Sequence, residues 1–143
     1  MAMGNKETAD LERELSGCAD LQQYLNRNTT RSDDQRVARS LAELMGQKGI
    51  SRSALISGCG LNDIYVHQIL SGYRRPSRDK LLCLALGLGL SAEQVQQLLK
   101  SCGYASLYAR NHRDSIILFG FYHGKNINEI NDQLYEQQEP ILT

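Results

Sequence analysis

The chain lacks any hydrophobic run long enough to cross a bilayer. Its longest, Leu81 to Leu90, is interrupted by a cysteine and two glycines, whereas a membrane-spanning helix needs roughly 20 apolar residues. No membrane span is expected. The first residues are polar and acidic, without the basic and apolar segments of a secretory signal, which predicts a cytoplasmic protein. Cysteine is scarce and scattered: Cys18, Cys59, Cys83 and Cys102 form no C-x-x-C pair. Neither a zinc site nor a redox dithiol is expected, and buried reduced thiols are. His67, His112 and His123 are dispersed, the carboxylates stand singly, and no glycine-rich phosphate loop or nucleophile elbow occurs. These absences predict no enzyme, no metal and no cofactor.

Net charge is also missing, with 16 basic against 16 acidic residues. The balance is uneven along the chain, however: residues 34–80 carry +4, while residues 1–33 and 81–143 each carry −2. Positive charge concentrated on one segment between acidic flanks is the electrostatic footprint expected of a nucleic-acid contact.

What is present reads as helix throughout. With 143 residues and 41% hydrophobic content, the chain can form one domain with a real core, or a small domain with helical additions. Leu11, Leu15, Cys18, Leu21, Tyr24 and Leu25 mark one or two amphipathic helices over residues 1–33, started by Thr8 and closed near the polar run Asn26 to Thr30. Val37, Leu41, Leu44 and Met45 give the next helix its apolar face, and Gly49 ends it. Ser77 caps a helix over Leu81 to Leu88, and Ser91 with Gln94 forms a capping box ahead of Val95, Leu98 and Leu99.

The stretch from Gly49 to Lys80 carries the most specific pattern. Ser51 caps a helix through Ala54, Leu55 and Ile56, the Gly58-Cys59-Gly60 turn stops it, and Asn62 caps the next. In that second helix Val66, Ile69, Leu70 and Tyr73 fall at helical spacing and are expected in the core, which leaves Asp63, Tyr65, His67 and Gln68 outward. Ser71-Gly72 ends it and Pro76 bars its continuation. Arg74, Arg75, Arg78 and Lys80 follow as a basic cluster suited to phosphates.

Ile50 to Leu55, Leu61-Asn62 and Val66 to Ser77 together resemble the Cro and phage-repressor type of helix-turn-helix regulator, the XRE class. The resemblance spans about Gln35 to Cys102 and implies a five-helix core that binds double-stranded DNA. It implies a recognition helix at about 62–71 in the major groove, with Asn62, Asp63, Tyr65, His67 and Gln68 toward base edges and Arg52, Ser71, Arg74 and Arg75 on phosphates. A reader of this size uses two half-sites, so a homodimer is expected. The sequence departs from the family pattern at Asp63 and Ile64, where a base-reading residue such as glutamine or arginine is usual. These two with Tyr65 also suit a protein partner, and a helix-turn-helix adaptor that does not bind DNA is the alternative. His67 is as consistent with a solvated surface histidine as with a DNA contact.

Beyond Cys102 the chain repeats itself. Arg78-Asp79, Leu81-Leu82, Leu84-Ala85-Leu86, Gly89, Val95 and Leu99 recur thirty-five residues later as Arg113-Asp114, Ile116-Ile117, Phe119-Gly120-Phe121, Gly124, Ile130 and Leu134. Each copy reads as a helical hairpin, and Asn126 with Glu129 reproduces the capping box. The second hairpin is expected to bury Ile116, Phe119 and Leu134 against the core or a second subunit. His112-Arg113-Asp114 is read as a helix cap with a local salt bridge. The expected organisation is therefore all-α: an N-terminal helical arm (1–33), a helix-turn-helix domain (34–103) and a C-terminal helical extension (104–143).

Overall fold

The computed structural model describes residues 7–29 and 35–143, and among these every regular element is an α-helix. The chain forms two compact units, Met1–Asp33 and Asp34–Thr143.

The first unit contains α1 (Thr8–Gly17) and α2 (Leu21–Asn28). Asp20 caps α2 by accepting from the Gln22 N–H at 3.1 Å. Asn28 donates to Glu14 and the Tyr24 hydroxyl to the Leu11 carbonyl, so polar contacts tie the two helices. Within the described residues of this unit only Asn28 is buried, and Leu15, Leu21 and Leu25 are exposed.

The second unit holds α3 (Gln35–Lys48), α4 (Arg52–Cys59), α5 (Asp63–Leu70), α6 (Arg78–Gly87), α7 (Ala92–Ser101), α8 (His112–Tyr122) and α9 (Ile127–Glu136). Helix α6 is its centre. Five consecutive residues, Leu81 to Ala85, are buried, and a helix apolar on every side must be surrounded. It packs on α4, α7 and α9. Its approach to α4 is close because both helices present glycine: a Cβ on Gly87 would lie 3.0 Å from Leu55 and Cys59 of α4. Val37 and Leu41 of α3, Val66 and Ile69 of α5, Ile117 and Phe121 of α8, and Ile130 and Leu134 of α9 complete one continuous core. The position 103/104, expected as a boundary, lies inside the segment that shares this core.

The two copies of the repeat are built alike. In the first, Gln96 clamps the backbone of buried Leu107, accepting from its N–H at 2.8 Å and donating to its carbonyl at 2.9 Å. Thirty-five residues on, Asn131 clamps Leu142 at 2.8 and 3.0 Å. Arg78 donates through Nε to the Ala105 carbonyl and through Nη2 to that of Ser106, both at 2.9 Å. Arg113 does the same to Pro140 and Ile141, at 2.9 and 3.4 Å. The copies then exchange partners: Arg78 grips Asp114 at 3.0 and 2.9 Å, and Arg113 grips Asp79 at 2.9 Å through both oxygens. Helix α6 meets α9 as α7 meets α8. Contacts in which each copy gives what it receives are those of a two-fold pairing, which closes on itself and does not propagate as a solenoid.

This arrangement corrects the expected local salt bridge at His112-Arg113-Asp114, because neighbours along a helix point apart while both charged groups reach residues in the other copy. Of the two places expected for Phe119, the core of its own unit is not the one it takes: it is 53% exposed, since α8 turns Ile117, Gly120 and Phe121 inward. Tyr73 is 71% exposed. Helical spacing ceases to apply to it, because Gly72 takes a left-handed φ of 79° after the α5 cap and redirects the chain. Three of the thiols are buried as expected, and Cys18 is half-buried. Burial pushes the Cys83 thiol up to about 12, so it stays protonated and inert.

Candidate nucleic-acid interface

Helices α4 and α5 are set by local chemistry. The Ser51 hydroxyl accepts from the Ala54 N–H at 3.1 Å to start α4, and Gly60 ends it at a left-handed φ of 72°. The Asn62 side-chain oxygen Oδ1 accepts from Ile64 at 2.9 Å and Tyr65 at 3.4 Å, and Asp63 Oδ1 from Ile64 at 2.8 Å. Two oxygens thus satisfy the first-turn donors of α5, and the Asp63 charge sits at the favourable end of the helix dipole. The Asn62 oxygen is committed to the cap, which leaves its amide N–H groups for a ligand.

Val66 and Ile69 turn α5 inward while Asp63, Ile64, His67 and Ser71 stay exposed. Arg52 of α4 crosses to α5, its Nη1 standing 2.8 Å from His67 Nδ1, so that nitrogen accepts and the rest of the Arg52 fork still faces outward. Ser71 Oγ donates to the Gln68 carbonyl at 3.0 Å. On the other flank Arg74 Nε donates to Gln68 Oε1 at 2.9 Å. Its guanidinium carbon is 5.3 Å from the centre of the Tyr65 ring, and Lys80 Nζ is 5.1 Å from it. Tyr65, expected outward, is half-buried between these cations and the core margin. Burial raises its phenol above the ordinary value, against the lowering effect of Arg74.

The basic cluster therefore divides in two. Arg74 and Lys80 lie beside α5, whereas Arg75 turns away, donates to the Cys102 carbonyl at 2.8 Å and stacks 4.4 Å from the Tyr104 ring. Tyr104 in turn donates its hydroxyl to the Pro76 carbonyl at 2.6 Å. Arg78 is engaged in the exchange with Asp114. Burial alone would raise the Asp114 carboxyl, but the Arg78 hydrogen bonds, the Tyr108 N–H and the Arg113 charge outweigh it and hold it below the ordinary value. Arg113 is raised, chiefly by its hydrogen bonds to Asp79.

No family model, curated protein or solved structure matches this chain. Of the residues singled out in the sequence, Asn62, Asp63, His67 and Ser71 are exposed along α5 and its ends, Arg52 stands at His67 on one flank, Arg74 with Gln68 and Tyr65 on the other, and Arg75 stands apart. Lys80 joins the group through Tyr65. The partners of Arg75 and Arg78 lie 27 to 36 residues away, and nothing in local spacing signals them. The repeated Arg-Asp dipeptide was the one available clue. Among the described residues no group of three His, Cys, Asp or Glu side chains is placed to hold a metal, and no helix is long and apolar enough to cross a membrane.

Proposed function

We propose that the chain is a sequence-specific DNA-binding transcriptional regulator whose α4 and α5 form a helix-turn-helix. The observation that carries this reading is that cations stand on two sides of α5, Arg52 from α4 at His67 and, from the segment after it, Arg74 with Lys80 at Tyr65. A helix inserted in a major groove meets a phosphate strand on each side, and cations on two sides of α5 support such a fit. In this mechanism the Asn62 amide, Asp63 and His67 approach base edges. Asp63 accepts from a cytosine N4, which is the base donor a carboxylate can read. Arg52, Arg74 and Lys80 hold phosphates, the Ser71 hydroxyl adds a neutral contact by turning its one proton from the Gln68 carbonyl to a phosphate oxygen, and Gln68 and Tyr65 fix the direction of Arg74. Arg75 is assigned to the fold. The regulator works as a homodimer on two half-sites, without a catalytic step or cofactor.

A second reading has its own observation. Ile64 is 65% exposed at the tip of α5, beside Asp63, and an acid with an aliphatic side chain suits a protein partner better than a phosphate strand. Selection from a pool of random duplexes, with sequencing of the retained fraction, separates the two. The regulator reading predicts an enriched motif, and a pool from which no duplex is retained even at low salt favours the adaptor.

A further inference from the structure

The repeat leaves one of its two equivalent faces open. Gly87 of α6 lies against Leu55 and Cys59 of α4, and Leu84 and Cys83, three and four residues earlier, share that face and are fully buried. Thirty-five residues on, the same face of α8 carries Leu118, Phe119 and Tyr122, yet Phe119 is 53% and Tyr122 71% exposed. One copy has a helix laid over this face, and the other presents it to solvent. Beside it Phe119, Ile116, Ser115, His112, Gln133 and Gln137 line a groove of about 440 Å³.

We propose that this face is a subunit interface, two copies of the chain meeting α8 to α8 across a two-fold axis. The proposal deepens the regulator reading, on which it rests for the need of two half-sites. The occupant follows from the difference between the copies. Tyr122 stands where α6 has Gly87, so a helix such as α4 cannot approach α8 closely. The partner must sit farther off and fill the gap with large side chains of its own, and α8 of a second copy brings Phe119 and Tyr122 to do so. A two-fold contact needs one self-complementary patch. Ser115, Gln133 and Gln137 at its edge are uncharged, and His112, which also lines it, stands 3.5 Å from Glu139, so the edge offers a second copy a basic and an acidic group side by side and not a block of one sign. An aromatic centre with a polar rim is the composition such interfaces favour.

Sedimentation equilibrium of the full-length chain tests this, run beside Phe119→Lys/Tyr122→Lys and Phe119→Ala/Tyr122→Ala with thermal melts of each. The unaltered chain should sediment as a dimer. Both variants should raise the dissociation constant by roughly a hundredfold or more, since both central anchors are lost. Should the lysine pair fail to fold, the alanine pair decides. An unaltered chain that stays monomeric at the highest concentration, or a folded variant that dimerises like it, overturns the proposal. A dimer that binds no duplex would instead overturn the regulator reading and leave the interface standing.

Discussion

Replacing Asp114 by alanine should destabilise the second unit by about 3 kcal/mol, because it strips a largely buried arginine of its carboxylate. The side chain of Asp114 is 11% exposed and that of Arg78 25%, and two guanidinium hydrogen bonds and the Tyr108 N–H bond are lost together. Arg78 keeps the Ala105 and Ser106 carbonyls, which places the cost at the lower end of the range for breaking buried pairs. For a unit of this size that is a fall in melting temperature of roughly 10 °C. The reciprocal change Asp79→Ala should cost less, about 1–2 kcal/mol: it leaves Arg113, 19% exposed, without its carboxylate, but Arg113 keeps the Pro140 and Ile141 carbonyls and Asp79 is itself 35% exposed, so solvent already screens the pair. Acidification should mimic the first variant. The folded carboxyl of Asp114 titrates below its unfolded value, so its contribution is complete above the ordinary carboxylate range near pH ~4 and is lost as pH falls through the depressed folded value. Urea melts of both variants at neutral pH, and of Asp114→Ala and the unaltered chain across acid pH, measure all three effects. An Asp114→Ala protein within ~0.5 kcal/mol of the parent, or equal losses from the two aspartates, would refute the reasoning.

Gly87→Ala should cost about 1–3 kcal/mol, since its methyl would lie 3.0 Å from Leu55 and Cys59 and 3.1 Å from the Cys59 backbone nitrogen, which cannot move away freely; a chemical melt superimposable on the parent's would show that α4 and α6 can separate at no cost. Asp63→Asn or His67→Ala should change which duplexes are retained, by about 1–3 kcal/mol at one base position, while stability falls by no more than about 0.3–1 kcal/mol, the scale of the Asp63 dipole contribution; lost stability at constant preference would remove these residues from the reading role. Deleting residues 104–143 should lower stability sharply or prevent folding, because Ile117, Phe121, Ile130, Leu134 and Leu142 belong to the same core as Val37 and Leu81. A truncated chain that melts like the full-length one would contradict that continuity.

The helices were legible because their signals are local. Ser51, Asn62, Ser77, Ser91 with Gln94 and Asn126 with Glu129 all cap where the sequence placed them, as a cap needs only its own residue and the next three. The repeat was legible as a pattern of identities. Its closure was not, for the exchange of Arg78 and Arg113 between copies depends on how two hairpins meet in space. The same limit applies at the candidate site. Arg74 and Arg75 are neighbours in sequence with the same charge and the same apparent use, yet one lies over Tyr65 and the other over Tyr104. Tyr73 and Phe119 were placed by helical period, which fails once Gly72 breaks the helix and cannot say which apolar face of α8 a neighbour will cover.

The central claim is that the cations flanking α5, and not the whole basic cluster, hold DNA phosphates. Its most direct test is the salt dependence of duplex affinity for the unaltered chain, Arg52→Ala/Arg74→Ala and Arg75→Ala, on the duplex enriched from the random pool. Each lost phosphate contact leaves about one fewer counterion released. The first variant should weaken binding to all duplexes alike and flatten the slope of log affinity against log salt by about one to two units. Arg75→Ala should lower the melting temperature through its lost hold on Cys102 and Tyr104 and leave the slope unchanged. A flattened slope for Arg75→Ala, with none for the Arg52 and Arg74 pair, would contradict the account.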